Sequence, residues 1–343
     1  MSGEAFVGKL GLATVIASAG AMNGAAFAQD SRPETASGIE DIIVTARKTA
    51  ESSQSVPVAI TAFSQEGLER QNVLNVQDLQ NSVPGLFVAP NSQGGAPTFA
   101  IRAAKADNGT SQTVTTYIND MPTTTTFAVA NMVYDMQSIS TLKGPQGTLF
   151  GANSTGGAII FRPNAPSNEF EGYIEGGIGN YDRRYLEAMI NIPVGEALQL
   201  RLAGNLVRRD GTIKNVASDA DRGAARKEFN DQHYESLRFS ARFTPSETVQ
   251  NDLMVSYFNR NENGNSAVAV ALRDRYDYQT FLGFSIPVDY AKAGLTPSPD
   301  WRHVQVGPNP TYAKGRIWDV TNTTSIELSD NVTAKLALGY ENG

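Results

Sequence analysis

Residues able to do chemistry are sparse in this chain. It has no cysteine, and its only histidines, His233 and His303, stand too far apart to start a histidine-rich metal site. No Ser/His/Asp arrangement, carboxylate pair at helical spacing or metal-ligand cluster is evident, so neither an enzyme activity nor a cofactor is expected. The most informative segment is 142–159, LKGPQGTLFGANSTGGAI, where Gly144, Pro145, Gly147, Gly151, Gly156 and Gly157 punctuate short apolar runs. Its backbone must turn tightly several times within a compact unit. A phosphate loop would need a Gly-Lys-Ser/Thr ending after four spacer residues, and none is present. Two cations draw notice: Arg102, on an otherwise apolar strand with Phe99 and Ile101, and Lys143. Each either reaches out to water or is withdrawn from it. An arginine buried without a partner is too costly to persist, so the second reading requires a facing acid.

These residues must be held by the elements around them, and the chain reads as four segments. Lys9, the apolar run 10–17 and the Ala26-Phe27-Ala28 cleavage signature make residues 1–28 a secretion leader. The apolar run is too short for a membrane-spanning helix, which needs ~20 residues. Residues 29–53 are polar and turn-rich, a flexible tether with one apolar island at 42–44. Residues 54–166 read as a small α+β domain, with helices at 65–70 (Ser64 as N-cap) and 76–81, and strands near 86–89, 98–102, 113–119 and 157–162. Pro163 and Pro166 close it.

The remaining residues, 167–343, alternate with period two. Leu198, Leu200 and Leu202 interleave with Gln199, Arg201 and Ala203; Leu237, Phe239 and Ala241 interleave with Arg238, Ser240 and Arg242. About seven strands of roughly nine to twelve residues result, the length of a tilted membrane-spanning strand. Connections near 193–196, 244–248 and 329–331 are short, whereas 209–233 and 261–314 are long. Short turns follow even strands and both long loops follow odd ones, the parity of an outer-membrane barrel. A soluble sandwich imposes no such rule. A net charge of −7 argues against a nucleic-acid partner.

The glycine-rich run resembles the end of the plug domain of TonB-dependent outer-membrane receptors, in which Lys-Gly-Pro-x-Gly-x-Leu-Phe-Gly precedes Gly-Gly-Ala-Ile. Upstream, Asp41, Ile42, Ile43, Val44, Thr45 and Ala46 resemble the TonB box, and 55–63 the opening strand of the plug. Leu79 with Val83-Pro84-Gly85-Leu86 resembles its first helix and turn, Ile101-Arg102 its Ile-Arg-Gly element, and 116–122 its Tyr-Ile-Asp-Gly-x-Pro strand. Ala103 departs from the usual glycine, and Asn119-Asp120 from Asp-Gly.

The resemblance implies an α+β plug followed by antiparallel transmembrane β-barrel strands in the Gram-negative outer membrane, surrounded by lipid. Energy would arrive mechanically from TonB, gripping the box by strand addition. Arg102, Lys143 and the glycines Gly144, Gly147, Gly151, Gly156 and Gly157, with Pro145, would shape the plug and lock it to the barrel. Ligand would rest on upper loops, with Asn91, Gln93, Lys105, Asn108, Thr123, Thr124 and Phe127 in contact. A ferric siderophore is the expected ligand, a glycan, cobalamin or another chelate the alternative, and a secreted β-rich binding module the alternative of another class. Residues 29–40 leave no room for a further signalling domain ahead of the box. A plugged transporter barrel takes about 22 strands, so seven are expected to be the N-terminal part of a longer receptor.

Overall fold

The structure, a computed structural model, describes residues 6–11, 43–44, 51–52, 58–89, 96–104, 112–127, 129–130, 132–151, 153–264, 276–281, 284–289, 302–304 and 312–343. Two sheets organise it: a five-stranded sheet in a globular unit and an eight-stranded curved wall.

The globular unit opens with β1 (Ile60–Ser64) and α1 (Gln65–Arg70). Ser64 caps α1 as the sequence predicts, its Oγ accepting from the Gly67 N–H at 3.2 Å. The second helical stretch is a 3-10 turn, Val76–Asp78, running into α2 (Leu79–Ser82). It starts at Val76, as the sequence predicts, behind a reciprocal capping box between Asn75 and Asp78. Strands β2 (Leu86–Ala89) and β3 (Thr98–Ile101) form a ribbon of their own. The main sheet joins β1, β4 (Val114–Ile118), β5 (Met136–Lys143), β6 (Gly157–Pro163) and the two-residue strand Met121–Pro122, with β5 and β6 inside it, β1 on one edge and Met121–Pro122 on the other. Between β5 and β6 lies the one-turn helix α3 (Gly147–Phe150). Sequence reading does not anticipate β5: nearly all of its residues are buried on both faces, so it carries no alternation.

The wall is a continuous antiparallel meander: β7 (Glu171–Gly179), β8 (Arg183–Val194), β9 (Leu198–Arg209), β10 (Gln232–Ser246), β11 (Val249–Glu262), β12 (Ala313–Ser329) and β13 (Val332–Asn342). These are the seven strands expected, with the expected parity of turns. Several exceed the expected length, because β10, β11 and β12 extend on the short-turn side past the level at which β7 begins. The long connections also carry strands of their own: Ile213–Asn215 pairs with Glu228–Phe229 and, in parallel, with His303–Val304. Phe6–Gly11, inside the predicted leader, lies antiparallel along the outer edge of β7.

Alternation along each wall strand separates two chemistries. Leu186, Ile190, Leu202, Leu237 and Phe239 face outward and are exposed, while Asn191, Arg201, Arg238 and Ser240 face inward and are buried. An apolar outer surface this continuous is what hydrocarbon solvates and water does not. No helix among the described residues is long and apolar enough to cross a membrane. Inside the curve, Val129 and Met132 of the globular unit share one apolar cluster with Val207, Tyr234, Met254, Phe258 and Ile317 of the wall.

Candidate functional site

The two bodies are joined by charge as well as by apolar contact. Asp135, in the left-handed conformation (φ +47°), ends the turn that feeds β5. Arg201 of β9 grips its carboxylate with two bonds, Nη2 to Oδ1 at 2.5 Å and Nε to Oδ2 at 2.9 Å. Arg238 of β10 donates to the Asp135 carbonyl at 2.7 Å and the Tyr134 carbonyl at 3.0 Å, with Oδ2 at 3.3 Å. All three side chains are buried, at 1% exposure for Asp135, 5% for Arg201 and 1% for Arg238. The Arg238 guanidinium also lies over the Tyr134 ring, 4.6 Å from its centroid. Burial raises the Tyr134 hydroxyl above the usual phenol range, with Arg238 pulling it back.

Two cations on one carboxylate need further anions, and the wall supplies them. Arg201 Nη1 donates to Glu171 at 2.8 Å, and the Asp135 N–H reaches Glu187, which also accepts from Tyr173 at 2.6 Å. Asn164 Nδ2 completes the shell by donating to Asp135 Oδ1 at 2.9 Å. Such a network is neutral to mildly costly against an apolar core, but removing one partner costs about 3–5 kcal/mol. It therefore acts as a latch, strong while whole and weak once a member is displaced.

A second contact runs up the wall. Asp120 pairs with Lys335 of β13, and the Thr124 hydroxyl and N–H both donate to Glu341 near the other end of that strand. Phe127 then packs edge-to-face with Phe258, ring centroids 5.1 Å apart, and the Arg260 guanidinium lies 5.6 Å from its centroid. Gly315 makes room for this ring: a Cβ there would lie 2.7 Å from Phe127 Cε1.

Against these contacts, the predicted site residues divide. Arg102 is exposed, and among the described residues no acid pairs with it. The buried ionic network expected around it is instead built with the roles exchanged, an acid on the globular unit and arginines on the wall. Lys143 is half-buried in β5, and burial, reinforced by nearby Arg102, lowers its ammonium below the ordinary range. The glycine motif shapes the sheet. Gly144 (φ +103°) and Gly151 (φ +70°) turn the chain, Pro145 lies between β5 and α3, and Gly147 opens α3. Gly156 accepts from the Gly144 N–H at 3.0 Å. Gly157 is the tightest position: a Cβ would sit 2.2 Å from the Leu142 carbonyl oxygen. Thr123 is turned back to Thr116, while Thr124 and Phe127 are the wall contacts just described. Asn91, Gln93, Lys105 and Asn108 lie outside the described residues, as do Asp41, Ile42, Thr45 and Ala46. Ile43–Val44 forms a short antiparallel pair with Glu51–Ser52.

Sequence reasoning missed Asp135, although a signal for it exists. It is the only acidic residue between Met121 and Asn168, embedded in an apolar run, and Arg201 and Arg238 both fall on the inward-facing phase of their strands. A lone acid facing two inward arginines is the pairing that burial demands.

Residues 52–158 match the TonB-dependent Receptor Plug Domain family. The chain is 30% identical over 184 residues to the pesticin receptor of Yersinia pestis, an alignment covering 52% of this chain and 27% of that protein. It is 25% identical over 166 residues to the ferripyoverdine receptor of Pseudomonas aeruginosa, covering 46% and 19%. The chain thus spans between about a fifth and three tenths of the length of the curated relatives it matches. In fold it resembles the ferric yersiniabactin uptake receptor FyuA from Yersinia pestis, with a TM-score of 0.65 at 19% identity over 83% of this chain and 40% of that one.

Proposed function

We propose that this chain, the N-terminal part of a TonB-dependent receptor, serves the energised import of a ferric siderophore across the Gram-negative outer membrane. The observation that carries the reading is the buried Asp135–Arg201–Arg238 latch, which seats a plug inside a wall whose outer face is apolar. Its support on the ligand side is that the relatives named above are receptors for ferripyoverdine and, in the solved structure, for ferric yersiniabactin.

In this reading residues 1–28 are removed on export. Loss of Phe6–Gly11 frees the edge of β7 for another strand of the barrel. Residues 29–53 are the tether, and 41–46 the box that TonB takes up as an added strand. Residues 54–166 are the plug, and 167–343 the first barrel strands. Force on the tether reaches β1 first, an edge strand that among the described residues pairs only with β5. Strand β5 begins one residue after Asp135, so the pull runs directly to the latch. The plug glycines and Pro145 shape the plug, the Asp135–Arg201–Arg238 latch locks it to the wall in place of Arg102 and Lys143, and Thr123, Thr124 and Phe127 lie on the side where ligand arrives.

Uptake of radio-iron-loaded yersiniabactin and pyoverdine by cells expressing the full-length receptor, with and without TonB, tests the proposal. TonB-dependent accumulation of either supports it. Its absence for both, with the receptor intact in the outer membrane, rejects the siderophore reading.

A further inference from the structure

Arg238 spends only part of its guanidinium on the plug. Its Nη2 makes all three bonds, to the Tyr134 and Asp135 carbonyls and to Asp135 Oδ2, while Nη1, also buried, bonds no group among the described residues. Two strands away, Asp319 of β12 has the complementary deficit. It is 8% exposed, its buried Oδ1 accepts no hydrogen bond, and among the described residues no cation pairs with it. Glu341 stands opposite it on β13, and like charges so placed repel. A carboxylate buried without a cation is costly, and nothing in the resting latch requires this one.

Strand register sets both groups on one row. Arg238 pairs with Ser256 and Ser256 with Asp319, so the row reads Arg238, Ser256, Asp319, Glu341 from β10 to β13. Two strand spacings put the Arg238 and Asp319 backbones roughly 10 Å apart, a span that an arginine and an aspartate side chain close between them. Ser256 is small, and its buried hydroxyl also bonds nothing among the described residues. The other inward cations lie further along the strands with acids of their own: Arg242 holds Asp252, Arg260 holds Glu262 and Lys335 holds Asp120. By register, Arg238 is therefore the cation nearest Asp319. The plug keeps the two apart. Met132 and Tyr134 face Ser236, Ser256 and Asp319 across a cavity of about 20 Å³, room for one water. The Arg238 guanidinium lies over the same Tyr134 ring, and Thr124 holds Glu341. Withdrawal of this plug face removes Asp135 from Arg238, opens the space before Asp319 and releases Glu341 in one movement.

We propose that Asp319 is the standby acceptor of the latch: as the plug is drawn away, the Arg238 guanidinium passes from Asp135 across Ser256 to Asp319, so that opening does not leave it buried and unpaired. Asp319 acts through Arg238 and is a positioning residue. The inference rests on the uptake reading above, in which the plug moves, but the handover can be measured without TonB or any chelate. In the detergent-purified full-length receptor, plug release in urea is timed by pulses of protease that cut the exposed plug. Asp319→Asn should slow release about fivefold, and Asp319→Glu should restore it. An Asp319 that merely braced the resting plug would give the opposite sign, so faster or unchanged release overturns the proposal. Removing this acid also relieves its repulsion with Glu341 at rest, and an Arg238→Gln background separates the two effects. There the same substitution should alter the rate less than about twofold, whereas slowing as large as in the parent overturns the handover. Glu187, which accepts from Tyr173 on the other side of Arg238, is the competing acceptor. Slower release with Glu187→Gln but not with Asp319→Asn would transfer the role to it and sink the assignment.

Cells supply the second arm. With radio-iron-loaded yersiniabactin or pyoverdine, the Asp319→Asn receptor should bind at its surface as the parent does, yet internalise about threefold more slowly, with Asp319→Glu restoring the rate. Unchanged internalisation, a parallel loss of surface binding, or failure of the glutamate variant would each overturn a role in transport. If the parent receptor imports neither chelate, the siderophore reading fails, and the urea arm still decides whether Arg238 is handed to Asp319.

Discussion

Asp135 of the plug and Arg201 of the barrel wall meet through two hydrogen bonds, both side chains withdrawn from water although 66 positions separate them in sequence. Arg238 shares the same carboxylate, so one plug residue joins strands β9 and β10 to the start of β5. Asp135→Asn keeps the shape and removes the charge, leaving two buried guanidinium groups short of an anion. It should destabilise the plug by about 3 kcal/mol or more. Replacing all three with apolar residues of similar volume should restore most of that stability. Urea titration of the full-length receptor, read by protease cleavage within the plug, measures both. Equal losses in the single and triple variants would mean that packing at this position, rather than charge balance, holds the plug.

Gly157→Ala addresses the motif that is easiest to see in the sequence. The new methyl would collide with the Leu142 carbonyl oxygen, at 2.2 Å, and the residue would have to hold φ +146°. Backbone strain alone costs about 1–3 kcal/mol, and the clash forces the central β5–β6 pair apart as well. The expected outcome is a receptor that reaches the outer membrane with an unfolded plug, detected as sensitivity of the cells to large antibiotics. Normal exclusion together with normal plug protease resistance would show that the β5–β6 corner tolerates a side chain.

Ala103 gives a prediction of the opposite sign. It stands where similar receptors carry glycine, and its φ of +64° follows another left-handed residue, Arg102, at +52°. A left-handed non-glycine residue costs roughly 1–2 kcal/mol, partly offset by the freedom that glycine gives the unfolded chain. Ala103→Gly should therefore raise plug stability by about 0.5–1 kcal/mol in the same urea titration. A loss of stability would mean that the alanine methyl makes a contact worth more than the strain it imposes.

Much of this architecture was legible because two signals are periodic or rigid. Wall strands alternate between lipid and plug, so Leu198 to Ala203 revealed both their length and their inward face. The glycine turns reported the plug through positions that other residues cannot occupy. Strand β5 was not legible, because it is buried on both faces, and neither was the capping box at Asn75, which precedes the apolar pattern. The latch was half legible. The rule that a buried arginine requires an acid was sound, but sequence cannot say which of Arg102, Arg201 and Arg238 is buried. That depends on how β9 and β10 curve around the plug, a contact between residues more than sixty positions apart.

The box supplies the last prediction. Val44 pairs with Glu51 through the backbone, so the chain is already extended where TonB is proposed to add a strand. Strand addition draws its affinity from main-chain hydrogen bonds, and proline removes one donor and blocks the ladder at that residue. Val44→Pro should leave surface binding of a ferric chelate intact, because the proposed ligand contacts lie on other segments of the chain, and should reduce its accumulation to the level of cells lacking TonB. Val44→Ile keeps both the donor and the β-branched side chain, and should import normally. The two variants together separate backbone pairing from side-chain identity. Full accumulation by the proline variant would place the gripping segment elsewhere in the tether, whereas failure of the isoleucine variant would make the Val44 side chain, and not the ladder, the determinant.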